Sequence, residues 1–210
     1  MNKIVSGICL CILSAMACVQ AETKGEKSLQ RLVEGNQRYI SDKSEHPNRT
    51  TERRQETAKM QEPFAVILGC SDSRVAPEIL FDQGIGDLFI IRVAGNVAGD
   101  IELGSAEYAT VHLHAPLVVV LGHENCGAVK AVLDDQIEGI EAIASLIEPA
   151  VDKAEKMSGD TLENAVKQNV LSVVKQLQAY PPLKKLIDKK ALLIKGGYYN
   201  FHTATVTILP

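Results

Sequence analysis

The sequence predicts an α/β fold: a central, mostly parallel β-sheet flanked by helices, with an N-terminal helical arm and a C-terminal edge strand. Two observations carry this expectation. Four short runs rich in branched apolar residues are bounded by Pro or Gly: Phe64-Ala65-Val66-Ile67-Leu68-Gly69, Leu88-Phe89-Ile90-Ile91-Arg92-Val93, Leu117-Val118-Val119-Val120-Leu121-Gly122 and Ala191-Leu192-Leu193-Ile194. Such runs read as strands buried on both faces. Stretches of helical spacing lie between them, and strands alternating with helices imply parallel pairing through right-handed crossovers.

In chain order, residues 28–40 carry Leu29, Leu32, Val33 and Ile40 at helical spacing, while 47–60 is mostly polar and charged. Both read as helices outside the main core. Between the strands, helical patterns cover 76–81, 101–114, 127–133 and the long stretch 137–178, broken near Ser158-Gly159. Residues 204–209 alternate Thr with Val and Ile and read as an edge strand. No internal repeat or low-complexity segment interrupts this order.

The 210 residues suffice for one α/β domain with a sizeable core. Hydrophobic residues at 46% and charged residues at 23% are those of a globular chain rather than a disordered one. The net charge of -4, with acids and bases interleaved, offers no basic surface for a phosphate backbone, so nucleic acid is not an expected partner.

The N-terminus has a different character. Lys3 precedes an apolar run over 4–19, followed by Val19-Gln20-Ala21, the layout of a secretory signal. The run is shorter than the ~20 residues that span a bilayer. A lipoprotein reading at Cys18 is disfavoured by Ala15-Met16-Ala17, which lacks the Leu-type residue usual at such sites. The expected organisation is a signal over 1–21, a helical arm over 22–62 and a metal-binding core over 63–210. It predicts an exported protein, periplasmic or secreted, with no membrane association after cleavage. The mature chain then keeps Cys70 and Cys126 alone. Asn48-Arg49-Thr50 is a glycosylation sequon, a weak signal by itself.

In open parallel sheets, ligands gather where the strands end. The first run ends in Gly69-Cys70-Ser71-Asp72-Ser73-Arg74, the second in Arg92-Val93-Ala94-Gly95-Asn96 and the third in Gly122-His123-Glu124-Asn125-Cys126-Gly127. His123 and Cys126, three apart where a helix begins, point to one side, and Cys70 from the neighbouring strand end adds a third donor. Two thiolates and an imidazole form a set found at catalytic zinc sites that keep a fourth position for water. A closed structural site would need a further donor, and the mature chain has no third Cys. His112 and His114 sit before Pro116, away from the strand-end loops. Asp72 and Arg74, two apart in a turning loop, are placed to form a bidentate carboxylate–guanidinium pair. Asp72 then either accepts a hydrogen bond from the metal's water or swings onto the metal.

In order and spacing, these residues resemble the β-class carbonic anhydrases. The matching stretches are Cys70-Ser71-Asp72-Ser73-Arg74-Val75, Pro77-Glu78, Gly86-Asp87-Leu88-Phe89 with Arg92, Ala94-Gly95-Asn96, Gly122-His123 and Cys126-Gly127-Ala128. The resemblance implies zinc-dependent, reversible hydration of CO2 to bicarbonate through a zinc-bound hydroxide. It implies one Zn2+ per chain on Cys70, His123 and Cys126, with Asp72–Arg74 as the catalytic pair and Asp72 as fourth ligand in a closed form. It also implies substrate contacts at Gln61, Phe89, Ala94 and Tyr108. Assembly as a homodimer or dimer of dimers is implied too, with residues 28–60 embracing the partner. Glu124-Asn125 and Gly196-Gly197-Tyr198-Tyr199-Asn200 depart from the family's usual residues, which bears on proton transfer and the distal wall. Two rival readings remain: hydrolysis of COS or CS2 on the same ligand set, and a non-catalytic zinc-binding or redox protein with a Cys70–Cys126 disulfide.

Overall fold

The computed structural model describes residues 21–210. The expected signal over 1–21 therefore falls, but for Ala21, outside the described residues, as do Cys9, Cys11 and Cys18. Five strands form one sheet in the order β2-β1-β3-β4-β5. These are β1 (Ala65–Gly69), β2 (Leu88–Arg92), β3 (Leu117–His123), β4 (Leu193–Tyr199) and β5 (Val206–Leu209). β1 pairs in parallel with β2 and β3, β3 pairs in parallel with β4, and β5 closes the edge antiparallel to β4. The expected architecture, edge strand included, is the one observed.

Alternation along each strand divides the core in two. Val66, Leu68, Val118, Val120 and Ile194 face helices α4 (Asp100–Glu107), α5 (Gly127–Leu133), α6 (Glu141–Ala154), α7 (Thr161–Ala179) and α8 (Pro181–Asp188). Ala65, Ile67, Leu117, Val119 and Leu121 face the opposite side, with Leu80, Phe81 and Leu32. Both faces of β1 and β3 are sealed, which is why these strands read as unbroken apolar runs. Each fully buried Val, Leu or Ile contributes about 1.5–3 kcal/mol of apolar burial.

Several sequence expectations need correction. The N-terminal helix α1 (Lys24–Ile40) starts earlier than residue 28, because Thr23 and Glu26 form a capping box. It also lies on its own sheet rather than outside the core: Leu32 is 1% exposed within the second cluster. Only Thr51–Thr57 (α2) is helical in the stretch 47–60. The residues before it form an irregular segment, with His46 and Asn48 at positive φ (52° and 56°), tied down by two buried acids instead. Asp82 accepts from Glu45 N (2.9 Å), His46 N (3.0 Å) and Arg38 Nε (2.6 Å), and Asp87 accepts from Asn48 Nδ2 (2.9 Å), Arg31 Nη2 (2.8 Å) and Gly84 N (2.8 Å). The sequon's Asn48 amide is thus engaged inside the protomer.

Three further elements differ from expectation. The helix over 76–81 shrinks to one turn, α3 (Pro77–Leu80). The stretch 101–114 is α4 followed by a π-helical turn, Tyr108–His112, before the chain turns at His114 (φ 60°). β4 runs through Gly196-Gly197 instead of ending before them. A Cβ on Gly196 would sit 2.8 Å from Val170 Cγ1, so glycine is what lets α7 lie against the sheet there. The break at Ser158-Gly159 holds, with Gly159 at φ 98° between α6 and α7.

Candidate metal centre

β1 and β3 are neighbours and both run toward the same edge of the sheet, so Cys70 just past β1 and His123 at the end of β3 emerge side by side. Cys126 is the N-cap residue of α5. The donor atoms of Cys70, His123 and Cys126 all lie within 4.8 Å of one another, and all three residues are buried. Tetrahedral zinc, with Zn–S near 2.3 Å and Zn–N near 2.0–2.1 Å, places its donors about 3.5–4 Å apart.

The imidazole is oriented from behind. His123 Nδ1 lies 2.8 Å from the Glu124 carbonyl oxygen, and because a carbonyl only accepts, the proton sits on Nδ1 and leaves Nε2 with its lone pair. That Nε2 is buried with no hydrogen-bond partner in the protein, a costly condition unless something else fills it. A metal ion accounts for it, and the outward Nδ1–H on a carbonyl is the arrangement that fixes a metal-ligating histidine.

The thiols share charge. Both cysteines are free. The Cys126 thiol donates toward Cys70, and despite burial this holds the Cys70 thiol well below its ordinary value, assisted by the backbone N–H groups of Asp72 and Gly95. The Cys126 thiol is pushed up by the same contact and by burial. A divalent cation that takes both sulfurs as thiolates releases their protons. Gly95 N lies 3.3 Å from Cys70 Sγ. Presenting that N–H requires a left-handed backbone (φ 71°), which favours glycine.

Asp72 stands at the mouth of this cluster, its Oδ2 3.8 Å from His123 Nε2. Arg74 grips it with both arms, Nε to Oδ1 at 2.9 Å and Nη2 to Oδ2 at 2.7 Å, and Arg74 N adds a third bond at 2.9 Å. The Arg74 hydrogen bonds, outweighing partial burial, hold the carboxyl well below the usual carboxylate range. Arg92, the last residue of β2, braces the loop by donating to the carbonyls of Cys70 (3.0 Å) and Asp72 (2.6 Å). Sequence reasoning placed Arg92 at this strand end without giving it that role.

The expected substrate contacts divide. Ala94 lies in the 3-10 turn beside Gly95, next to the centre. Gln61 and Tyr108 instead line a cleft of about 1120 Å³ with His112, His114 and Lys27, and none of the metal-cluster residues, Asp72 or Arg74 borders it. Phe89 joins that side, its ring centroid 6.2 Å from that of Tyr108. Sequence reasoning singled out neither Phe201 nor the partners of Glu124. Phe201 follows β4 and packs its ring edge-on to His123 with centroids 5.5 Å apart.

A family model described as carbonic anhydrase matches residues 65–206. A carbonic anhydrase of Mycolicibacterium smegmatis is 43% identical over 153 residues, which span 70% of this chain and 74% of the relative. Carbonic anhydrase 2 of Mycobacterium tuberculosis is 53% identical over 102 residues, about half of each chain. Among solved structures, the β-carbonic anhydrase CcaA aligns with a TM-score of 0.69 at 30% identity, over 87% of this chain and 95% of its own. The chain belongs to the β-class carbonic anhydrases. The Coccomyxa β-carbonic anhydrase, solved in complex with acetazolamide, aligns with a TM-score of 0.70 at 29% identity and 86% coverage of both chains. Zinc is this family's metal, and the two sulfurs and one unpartnered imidazole nitrogen described above suit it.

Proposed function

We infer that the protein catalyses the reversible hydration of CO2 to bicarbonate at a zinc ion held by Cys70, His123 and Cys126. The observation that carries this reading is the buried three-donor cluster with an ionised carboxylate, Asp72, 3.8 Å from the imidazole nitrogen. When bound there, zinc polarises water and makes it nucleophilic near neutral pH. Asp72 stays ionised in the grip of Arg74 and acts only as an acceptor. It takes the proton side of the attacking water in a hydrogen bond and so turns a lone pair toward the carbon. Arg74 and Arg92 fix the carboxylate and its loop, so this orientation is in place before substrate arrives.

Gln61, Phe89 and Tyr108 serve as substrate contacts across a subunit boundary, each protomer lending them to its partner's centre. Their separation from Asp72 within one chain supports this, as does the apolar surface left open at Met60, Ile79, Ile101 and Tyr108. The assembly is then a homodimer or a dimer of dimers, and sedimentation equilibrium giving a monomer's mass would count against it. Export to the periplasm or exterior, with cleavage after Ala21, is the corresponding proposal for the N-terminus. N-terminal sequencing of protein from fractionated cells tests it. Among the described residues, no helix is long and apolar enough to cross a membrane.

Stopped-flow CO2 hydration by the zinc-loaded protein, with COS and CS2 in parallel, decides the reaction. Turnover of CO2 that depends on stoichiometric zinc is expected. Turnover of COS or CS2 alone would transfer the site to the hydrolase reading, and a metal-free protein with its two sulfurs joined would replace both with the redox one.

A further inference from the structure

The loop that follows β4 reaches the centre with one side chain. The Phe201 ring meets three partners at once. His123 lies against it at 5.5 Å between centroids and 62° between planes. Tyr199 packs edge-on at 5.3 Å and 84°. The Arg74 guanidinium carbon stands 4.3 Å over its centroid. One ring therefore touches both a metal ligand at the end of β3 and the guanidinium that grips Asp72, which lies in the loop after β1.

These contacts are mutually compatible because they use different directions. Arg74 donates to Asp72 in the plane of its guanidinium through Nε and Nη2, and it offers its flat face to the aromatic ring, the geometry of a cation–π contact. His123 is held along its own plane by the Glu124 carbonyl, which leaves its ring surface to be fixed by Phe201. A branched aliphatic side chain would fill similar space but has no π face for the cation.

The ring's position is fixed from its backbone. Glu124 Oε2 accepts from Phe201 N (2.9 Å) and lies 3.1 Å from His202 Nδ1, while Glu124 N donates to Tyr199 O (2.8 Å). Asn200 Oδ1 accepts from His202 N (3.0 Å) and Thr203 N (2.9 Å), which tightens the turn. Glu124 thus orients His123 with its carbonyl and latches Phe201 with its side chain.

We propose that Phe201 is a positioning residue of the site, a wedge latched by Glu124 that sets the angle between the His123 imidazole and the Arg74–Asp72 pair. The inference rests on the hydratase reading for its kinetic consequence, but its geometric consequence is independent of turnover. Phe201→Leu removes the π face at nearly constant volume, and Phe201→Tyr restores it. The expected results are a kcat for Phe201→Leu lowered about tenfold or more, since ångström-scale misplacement near reacting groups costs up to about 100-fold. KM changes little, zinc stoichiometry is retained, and Phe201→Tyr returns kcat to near wild type. The visible absorption of the cobalt(II)-loaded protein, which reports ligand geometry, shifts in Phe201→Leu and not in Phe201→Tyr. Should Phe201→Leu fail to fold, Glu124→Gln loosens the latch while keeping the ring, and the same cobalt shift with a smaller fall in kcat is expected.

A Leu variant with wild-type kcat and spectrum overturns the proposal, and so does a Tyr variant as impaired as the Leu one. If the wild-type protein itself fails to hydrate CO2, the reading of the reaction fails, and the cobalt spectra still decide whether the wedge sets the ligand geometry.

Discussion

Asp72→Asn separates what the carboxylate does for the fold from what it does for the reaction. The side chain accepts three hydrogen bonds, all from Arg74, at 2.7–2.9 Å. An amide can keep the two on Oδ1 but turns an N–H2 group toward Arg74 Nη2, so one charge-assisted bond becomes a clash of donors. A hydrogen bond to a charged group contributes about 1.5–3 kcal/mol when shielded. Arg74, however, is 54% exposed, and solvent screening reduces such a pair to about 1 kcal/mol or less. For a domain of this size that is about 2–4 °C in Tm. The catalytic loss is larger: a positioned proton acceptor contributes about 100- to 10,000-fold, or roughly 3–5 kcal/mol at 1.36 kcal/mol per decade. Stopped-flow hydration, zinc analysis and thermal melting on one preparation should therefore show kcat/KM down at least about 100-fold, zinc unchanged and Tm nearly so. Activity within threefold of wild type would refute the reasoning, and loss of zinc would mean that Asp72 holds the metal rather than the water.

Cys70→Ala should weaken zinc binding by more than about 100-fold in a chelator competition, since even groups behind the ligands cost 10–100-fold, and hydration should vanish with the metal. Gly95→Ala should cost about 1–3 kcal/mol by thermal melting, because φ 71° strains a residue with a Cβ; the added methyl also meets the buried Ile147 Cδ1 at 2.8 Å and Ala128 Cβ at 3.3 Å, which adds crowding to the strain. The Asp72 carboxyl is depressed in the folded state by its Arg74 hydrogen bonds, so its stabilisation is complete above the unfolded value of about 3.9 and is lost only as pH falls below it. An acid limb of the activity profile between pH 5 and 8 should accordingly persist unmoved in Arg74→Lys, measured by pH-dependent stopped flow.

The parts of the fold legible in the sequence were those governed by local pattern. β1 and β3 are sealed on both faces, so Val66 to Leu68 and Leu117 to Leu121 read as strands, and the rule that sites form at strand ends then led to Cys70, Asp72, Arg74, His123 and Cys126. What stayed hidden depends on partners remote in sequence. Residues 43–50 leave the helical pattern because Asp82 and Asp87, some forty residues on, satisfy their backbone and side-chain donors. β4 continues through Gly196-Gly197, where a Cβ on Gly196 would meet Val170 of α7 and one on Gly197 would meet Leu121 and Val206 on the opposite face. Phe201 gave no periodic signal: it sits in a turn, and its role exists only once β4 has brought it beside β3.

The same reasoning explains why control of this centre reaches beyond its ligands. In the proposed reaction, the attacking water needs Asp72 as an ionised acceptor, close to the metal donors yet not spent on the metal. Nothing in the Cys-His-Cys set enforces that. Arg74 does, by engaging both carboxylate oxygens, but Arg74 is half-exposed and a lone surface pair of this kind is weakly held. Two anchors compensate: Arg92, which ties down the carbonyls on either side of Ser71, and the Phe201 ring, which covers the guanidinium's face. The orientation of one oxygen atom at the site thus depends on the end of β2 and on the turn after β4, elements that supply no metal ligand.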